Sequence, residues 1–127
     1  MIMKGFIVGF LTALVIIMLV AIEWYDGYGV GRAYMYETLV GMDPTQKRIE
    51  ANIRRLGGTS ESGNGVTVSE PDLARLRVAV FVTTDGAIVV QSKRHGELLV
   101  LLPIVDHDKI TWRCMVGPYK SAPGPCR

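Results

Sequence analysis

Histidine, cysteine and net charge are all scarce in this chain. It holds two histidines and two cysteines in 127 residues, and its formal net charge is +2. His95 falls in "KRHG" and His107 in "DHD", both turns by composition. Asp106, His107 and Asp108 are the only neighbours with ligand chemistry, and adjacent turn residues rarely converge on one ion. There is no HExxH, no GxSxG and no P-loop. Serine and histidine stand in no recognisable catalytic arrangement. The chain therefore reads as not an enzyme, with no metal and no cofactor expected. Its charge is too small to argue for nucleic acid as a main partner. No internal repeat is visible, and the length suits one small domain beside any membrane segment.

An apolar run is what the chain has in plenty. From Gly5 to Ile22 no charged residue occurs. As a helix rising ~1.5 Å per residue, this run spans roughly 27 Å, close to the ~30 Å hydrocarbon core of a bilayer. Three readings compete. A buried core helix would need a larger domain around it, because the run is apolar on every side. A secretory signal peptide has a shorter apolar region and a small-residue cleavage site, whereas this run meets "EWYDGY". A retained membrane anchor, residues 1–29, fits best. Trp24, Tyr25 and Tyr28 then belong to the interfacial aromatic belt, or pack against the downstream domain. Lys4 and the terminal amine precede the span, and Glu23 and Asp26 follow it. The positive-inside rule puts the N-terminus in the cytoplasm and residues 30–127 outside. Gly5 and Gly9 form a small-xxx-small pair that brings two membrane helices close.

Cys114 and Cys126 sit together in the closing stretch "ITWRCMVGPYKSAPGPCR". An even pair in a Gly/Pro-rich segment fits a closed disulfide loop better than a metal site, which needs more ligands. Disulfides persist in oxidising compartments such as the bacterial periplasm, in agreement with the orientation assigned from Lys4.

Between anchor and tail the periodicity changes once. Gly27, Gly29 and Gly31 each cost a helix about 1 kcal/mol relative to Ala, so helix is expected to loosen there. "DPTQKRIEANIRRLGG" predicts a helix with Asp43 as N-cap, Pro44 at its first position and Gly57 or Gly58 at its end. Ile49, Ile53 and Leu56 form its apolar stripe. Lys47, Arg48, Arg54 and Arg55 make a solvated face, or one that meets nucleic acid or lipid headgroups. "GTSESGNGVTVSEPD" reads as loop. Alternation from Arg75 to Val82 then predicts a first strand, and Asp85-Gly86 a hairpin turn. "AIVVQS" is a second strand and "ELLVLLPIV" a third, apolar enough to be covered on both faces. "KITWRCMV" is a fourth, with Ile110, Trp112 and Cys114 on one face. The expected fold class is α+β: a long N-terminal transmembrane helix, then a four-stranded antiparallel sheet with a C-terminal disulfide loop.

These parts resemble a type IV pilin. Trp112, Cys114, Lys120, Pro125 and Cys126 match the pilin ending of the form tWxC, then Lys, then a proline-bearing segment and a final Cys. Tyr25 and Tyr28 resemble the Tyr-x-x-Tyr that follows the pilin membrane segment. "MDPTQKRIEANI" is similar to the Asn-Pro-Leu-Lys stretch of the pilin helix. The resemblance implies a pilin-like α/β head over residues 30–127 in the periplasm, an anchor in inner-membrane lipid, and the major pilin or other pilus assembly proteins as partners. It also marks Lys4-Gly5-Phe6 as a candidate prepilin cleavage site, cut after Gly5 to release a leader of residues 1–5. One departure matters. The fifth residue from Phe6 is Phe10, where a pilin carries the Glu that pairs with a neighbouring subunit's amine. That points to an accessory protein assisting assembly of the major pilin. The alternatives are a cleaved minor pilin in or at the tip of the filament (fimbrium) and a membrane-tethered periplasmic binding domain.

Overall fold

The computed structural model describes residues 2–24 and 31–127 of the chain. Its first helix, α1 (Ile2–Trp24), contains the candidate span Met3–Ile22 with a mean hydropathy of 2.9. None of that span is buried against the remainder of the molecule. An all-round apolar helix outside any core has the pattern of a membrane segment. Gly27, Gly29, Tyr25 and Tyr28, and the side chain of Trp24, lie outside the described residues.

Helices α2 (Gly31–Gly41) and α3 (Asp43–Leu56) follow each other almost without a break. The Met42 amide donates to the carbonyls of Thr38 and Leu39, and the Gln46 amide donates to Met42, so the ladder carries across the junction. Pro44 is accommodated in the first turn of α3, where its missing N–H costs least. The expected Asp43 cap is corrected: Met42 holds the cap position, without a side-chain bond, and Asp43 lies in the first turn. There its carboxylate still faces the positive end of the helix dipole. Met35, Thr38, Met42, Thr45, Ile49 and Ile53 are all buried, at spacings of three and four that run through the junction. Leu56, expected on this stripe, is the last residue of α3 and is 44% exposed. Gly57 ends α3 in the left-handed conformation (φ 79°), its amide bonded to the Ile53 carbonyl.

A short helix, α4 (Glu70–Leu76), occupies residues that read as loop and strand. The Ser69 side chain caps it, accepting from the Asp72 amide, and Pro71 sits in its first turn. Leu76 is its last residue and is buried, so it satisfies both the helical spacing from Leu73 and the alternation leading into Val78. That double fit is why the alternation extends three residues too far back, to Arg75. Close packing follows: a Cβ on Gly41 would lie 2.7 Å from a Leu76 methyl.

Strands β1 (Val78–Val82), β2 (Ile88–Ser92), β3 (Leu98–Asp106) and β4 (Lys109–Gly117) form one antiparallel meander in the order β1-β2-β3-β4. Gly86 adopts φ 87° in the β1–β2 turn, as the Asp85-Gly86 pair requires. Register puts Val78 opposite Ser92, Ile88 opposite Leu101, and Leu101 opposite Cys114 on the inner face. That face packs on α3, and Met42, Ile49, Ile53, Leu76, Val78, Ile88, Val90, Leu99 and Leu101 make the core. β3 is covered on this side only. Its other face, with Leu98 and Ile104, remains exposed beside Phe81 and Met115, so the expectation of two covered faces is corrected. There is no second layer to cover it among the described residues.

The loop from Gly57 to Val68 is held at several points. Asn52 donates to the Ser62 carbonyl, Arg48 to the Thr67 carbonyl, and the Gly63 amide to the Thr84 carbonyl. Gly63 has the Thr83 carbonyl where a side chain would begin, so only glycine fits this approach.

Candidate functional site

Two regions hold the residues marked from the sequence. The first is the N-terminal half of α1. Gly5, Phe6, Gly9 and Phe10 all lie within the continuous helix, with the Gly5–Phe6 bond in its second turn. Gly5 and Gly9 are one helical turn apart, and an added Cβ at either meets nothing within 4 Å. Phe6 and Phe10 are exposed and stand beside them at the same spacing. This half-helix thus presents a flat two-glycine strip flanked by two aromatic rings, open to whatever surrounds α1. Phe10 gives the strip no acid.

The second region is the C-terminal loop. Cys114 on β4 and Cys126 are joined by a disulfide with Cα atoms 4.7 Å apart, and no free cysteine exists. Two short 3-10 turns, Tyr119–Ser121 and Gly124–Cys126, shape the loop, preceded by a cis Gly117–Pro118 bond. Ser121, Ala122 and Cys126 are buried, so the closing turns complete the core instead of trailing from it. Lys120 is exposed, but its carbonyl accepts from Arg32 Nε at 3.0 Å, which ties the loop to the first turn of α2.

Trp112 shares one face of β4 with Ile110 and Cys114, as expected, and packs at the edge of the core. It is half-buried, and its indole N–H donates to Glu50 Oε1 on α3 at 2.9 Å. Glu50 is itself mostly buried and has Lys47 3.9 Å away. This sheet-to-helix bond was not legible, since nothing in sequence joins positions so far apart. Beside it a groove of about 610 Å³ runs between the α2–α3 junction and β4, bordered by Tyr36, Leu39, Val40, Trp112 and Pro125.

His107 and Asp106 meet at 3.7 Å on the exposed β3–β4 turn, with His107 in the left-handed conformation. Among the described residues no three histidine, cysteine or carboxylate side chains are grouped to hold a metal. His95 lies apart, in the β2–β3 turn. Arg54 shares the surface around Asp106, His107 and Asp108, while Arg48 is committed to the loop carbonyl of Thr67. The cationic face expected on α3 is therefore divided between structural bonds and a mixed-charge end.

Comparison with known protein families, curated proteins and solved structures finds no match to this chain. The pilin resemblance rests on the residues already named.

Proposed function

We propose that this chain is a pilin-like protein of type IV pilus biogenesis. In this reading α1 is its anchor in the inner membrane, residues 30–127 lie in the periplasm, and it assists assembly of the major pilin. The observation that carries the reading is the combination of parts: an uncovered apolar helix at the N-terminus, a four-stranded antiparallel meander, and a disulfide from β4 to the penultimate residue. The glycine strip of α1 supports sideways recognition of another pilin helix within the bilayer, because small residues at this spacing let helix backbones approach closely.

The accessory role follows from Phe10. A processed filament subunit would bury its new terminal amine in an apolar helix bundle, and without an acid nearby that costs several kcal/mol. An uncut chain keeps its amine in water. The minor-pilin reading is favoured by one feature, the Lys4-Gly5-Phe6 sequence. N-terminal sequencing of the native protein separates the two. The accessory reading expects Met1 through Gly5 to be retained on protein that fractionates with the inner membrane. A terminus at Phe6 on protein abundant in sheared filaments would make it a filament subunit.

A further inference from the structure

The chain enters the head domain at Gly31, only seven peptide steps after the end of α1, a tether of at most about 25 Å. Strands β3 and β4, nine residues each, run roughly 30 Å from the end of the head that holds Gly31 to the opposite end. The tether is shorter than the head, so one end stays near the terminus of α1 and the other is held away.

The near end is assembled around Tyr34 in the first turn of α2. Its hydroxyl donates to the carbonyls of Leu76 and Arg77, and the Arg94 guanidinium lies over its ring, 4.9 Å from the centroid. The Lys93 amide donates to the Arg77 carbonyl, and Arg32 bonds the Lys120 carbonyl. Five cations from four separate elements are thereby brought to one end. The side chains of Arg77, Lys93, Arg94 and Lys120 are exposed there, and none has a described carboxylate within 4.0 Å. Glu97, in these turns, is turned inward, 4% exposed, and the exposed Glu70 of α4 borders the same groove as Arg77 and Lys93. The sequence adds Glu23 and Asp26 in and beside the connecting stretch, so the acids number four against five cations.

The geometry points to a membrane-facing surface: we propose that Arg77, Lys93, Arg94 and Lys120 engage the phosphates of anionic phospholipids in the bilayer that α1 occupies. This rests on the reading of α1 as a membrane anchor, but not on any role in pilus assembly. Lys and Arg suit the task because their long stems reach beyond the turn backbone while the charged heads meet phosphate oxygens. The surface holds the head upright over the lipid, with the β3–β4 turn pointing away.

The test uses the full chain in nanodiscs of phosphatidylcholine alone, or with phosphatidylglycerol added. An amine-reactive reagent labels the lysines, and peptide mass spectrometry reads each rate. Lys93 and Lys120 are expected to react about fivefold more slowly in the anionic discs, the factor for one basic side chain held at an anionic surface. Lys47 and Lys109, on the far part of the head, keep their rates and serve as internal controls. Salt at about 0.5 M, where the Debye length is roughly 4 Å, should erase the difference. Arg77→Glu with Arg94→Glu should do the same, and the salt result stands alone if that variant folds poorly. Equal labelling in both lipids, with the chain still co-eluting with the discs, overturns the inference and leaves the anchor intact. A chain that fails to enter neutral discs overturns the anchor reading and the inference with it.

Discussion

α1 and α3 are both helices with many apolar residues, yet they are held by opposite means. On α3 the apolar residues Ile49 and Ile53 sit on one stripe, and the sheet covers them. On α1 every side is apolar, and no part of its span is covered by the head. The stability of α3 is therefore part of the head's own fold. That of α1 depends on its surroundings, lipid or another helix, because a water-exposed apolar helix of this length has nothing else to bury against. The contrast yields a graded set of expected effects on head stability, measured by chemical denaturation of the full chain in detergent.

The largest effect belongs to Ile49, which is fully buried and whose methyl packs against the Gly86 turn. Ile49→Ala should cost about 4 kcal/mol, in the upper part of the range for core truncations, because rigid strand and turn backbone cannot collapse into the space. Cys126→Ser should follow at about 3 kcal/mol, from the lost closure of the loop back to β4. Mass spectrometry without reductant should first find the two thiols of native protein joined. Trp112→Phe comes third at about 2 kcal/mol, since the mostly buried Glu50 carboxylate loses its indole donor and keeps only Lys47. Ser69→Ala, which removes the cap of α4, should cost about 1 kcal/mol. A Trp112→Phe variant as stable as the parent would show that Glu50 is solvated well enough without it.

What was readable in the sequence follows the same division between local and distant causes. The ends of β2, β3 and β4 were legible because Asp85-Gly86, His95-Gly96 and Asp106–Asp108 interrupt the apolar runs with turn chemistry. The disulfide was legible because two cysteines allow one pairing. α4 was missed although Ser69-x-x-Asp72 with Pro71 is a helix-start signal, since Leu76 also fits the strand pattern. The open outer face of β3 was missed because an unbroken apolar run looks the same whether one or two layers cover it. The basic end was invisible for a different reason. Arg32, Arg77, Lys93, Arg94 and Lys120 are scattered along the chain, and only the fold gathers them. The positive-inside rule counts residues close to a span in sequence, so of this cluster it registers Arg32 alone. Conversely, the charge run on α3 looked like a surface of its own, and the structure spends Arg48 and Lys47 on local bonds.

The smallest expected effect is the sharpest test of the contrast. Leu14 lies in the middle of α1, and in the isolated chain it touches no part of the core. Leu14→Ala should leave the denaturation midpoint of the head unchanged, within the ~0.5 kcal/mol typical of substitutions away from packed features. The same exchange in the core would cost about 2–5 kcal/mol, so the two outcomes are well separated. Gly9→Leu provides the complementary reading. It too should leave the head untouched, because an added side chain at Gly9 meets nothing in the monomer. Yet it fills the glycine strip, so it should weaken association of α1 with another close-packed helix in a bilayer, read as lost energy transfer between labelled helices. If Leu14→Ala lowers the head's midpoint by 2 kcal/mol or more, on the scale of a core truncation, α1 packs on the head in the folded protein. If Gly9→Leu leaves helix association intact, the strip is only a gap in the apolar surface, and the helix meets its neighbours on another side.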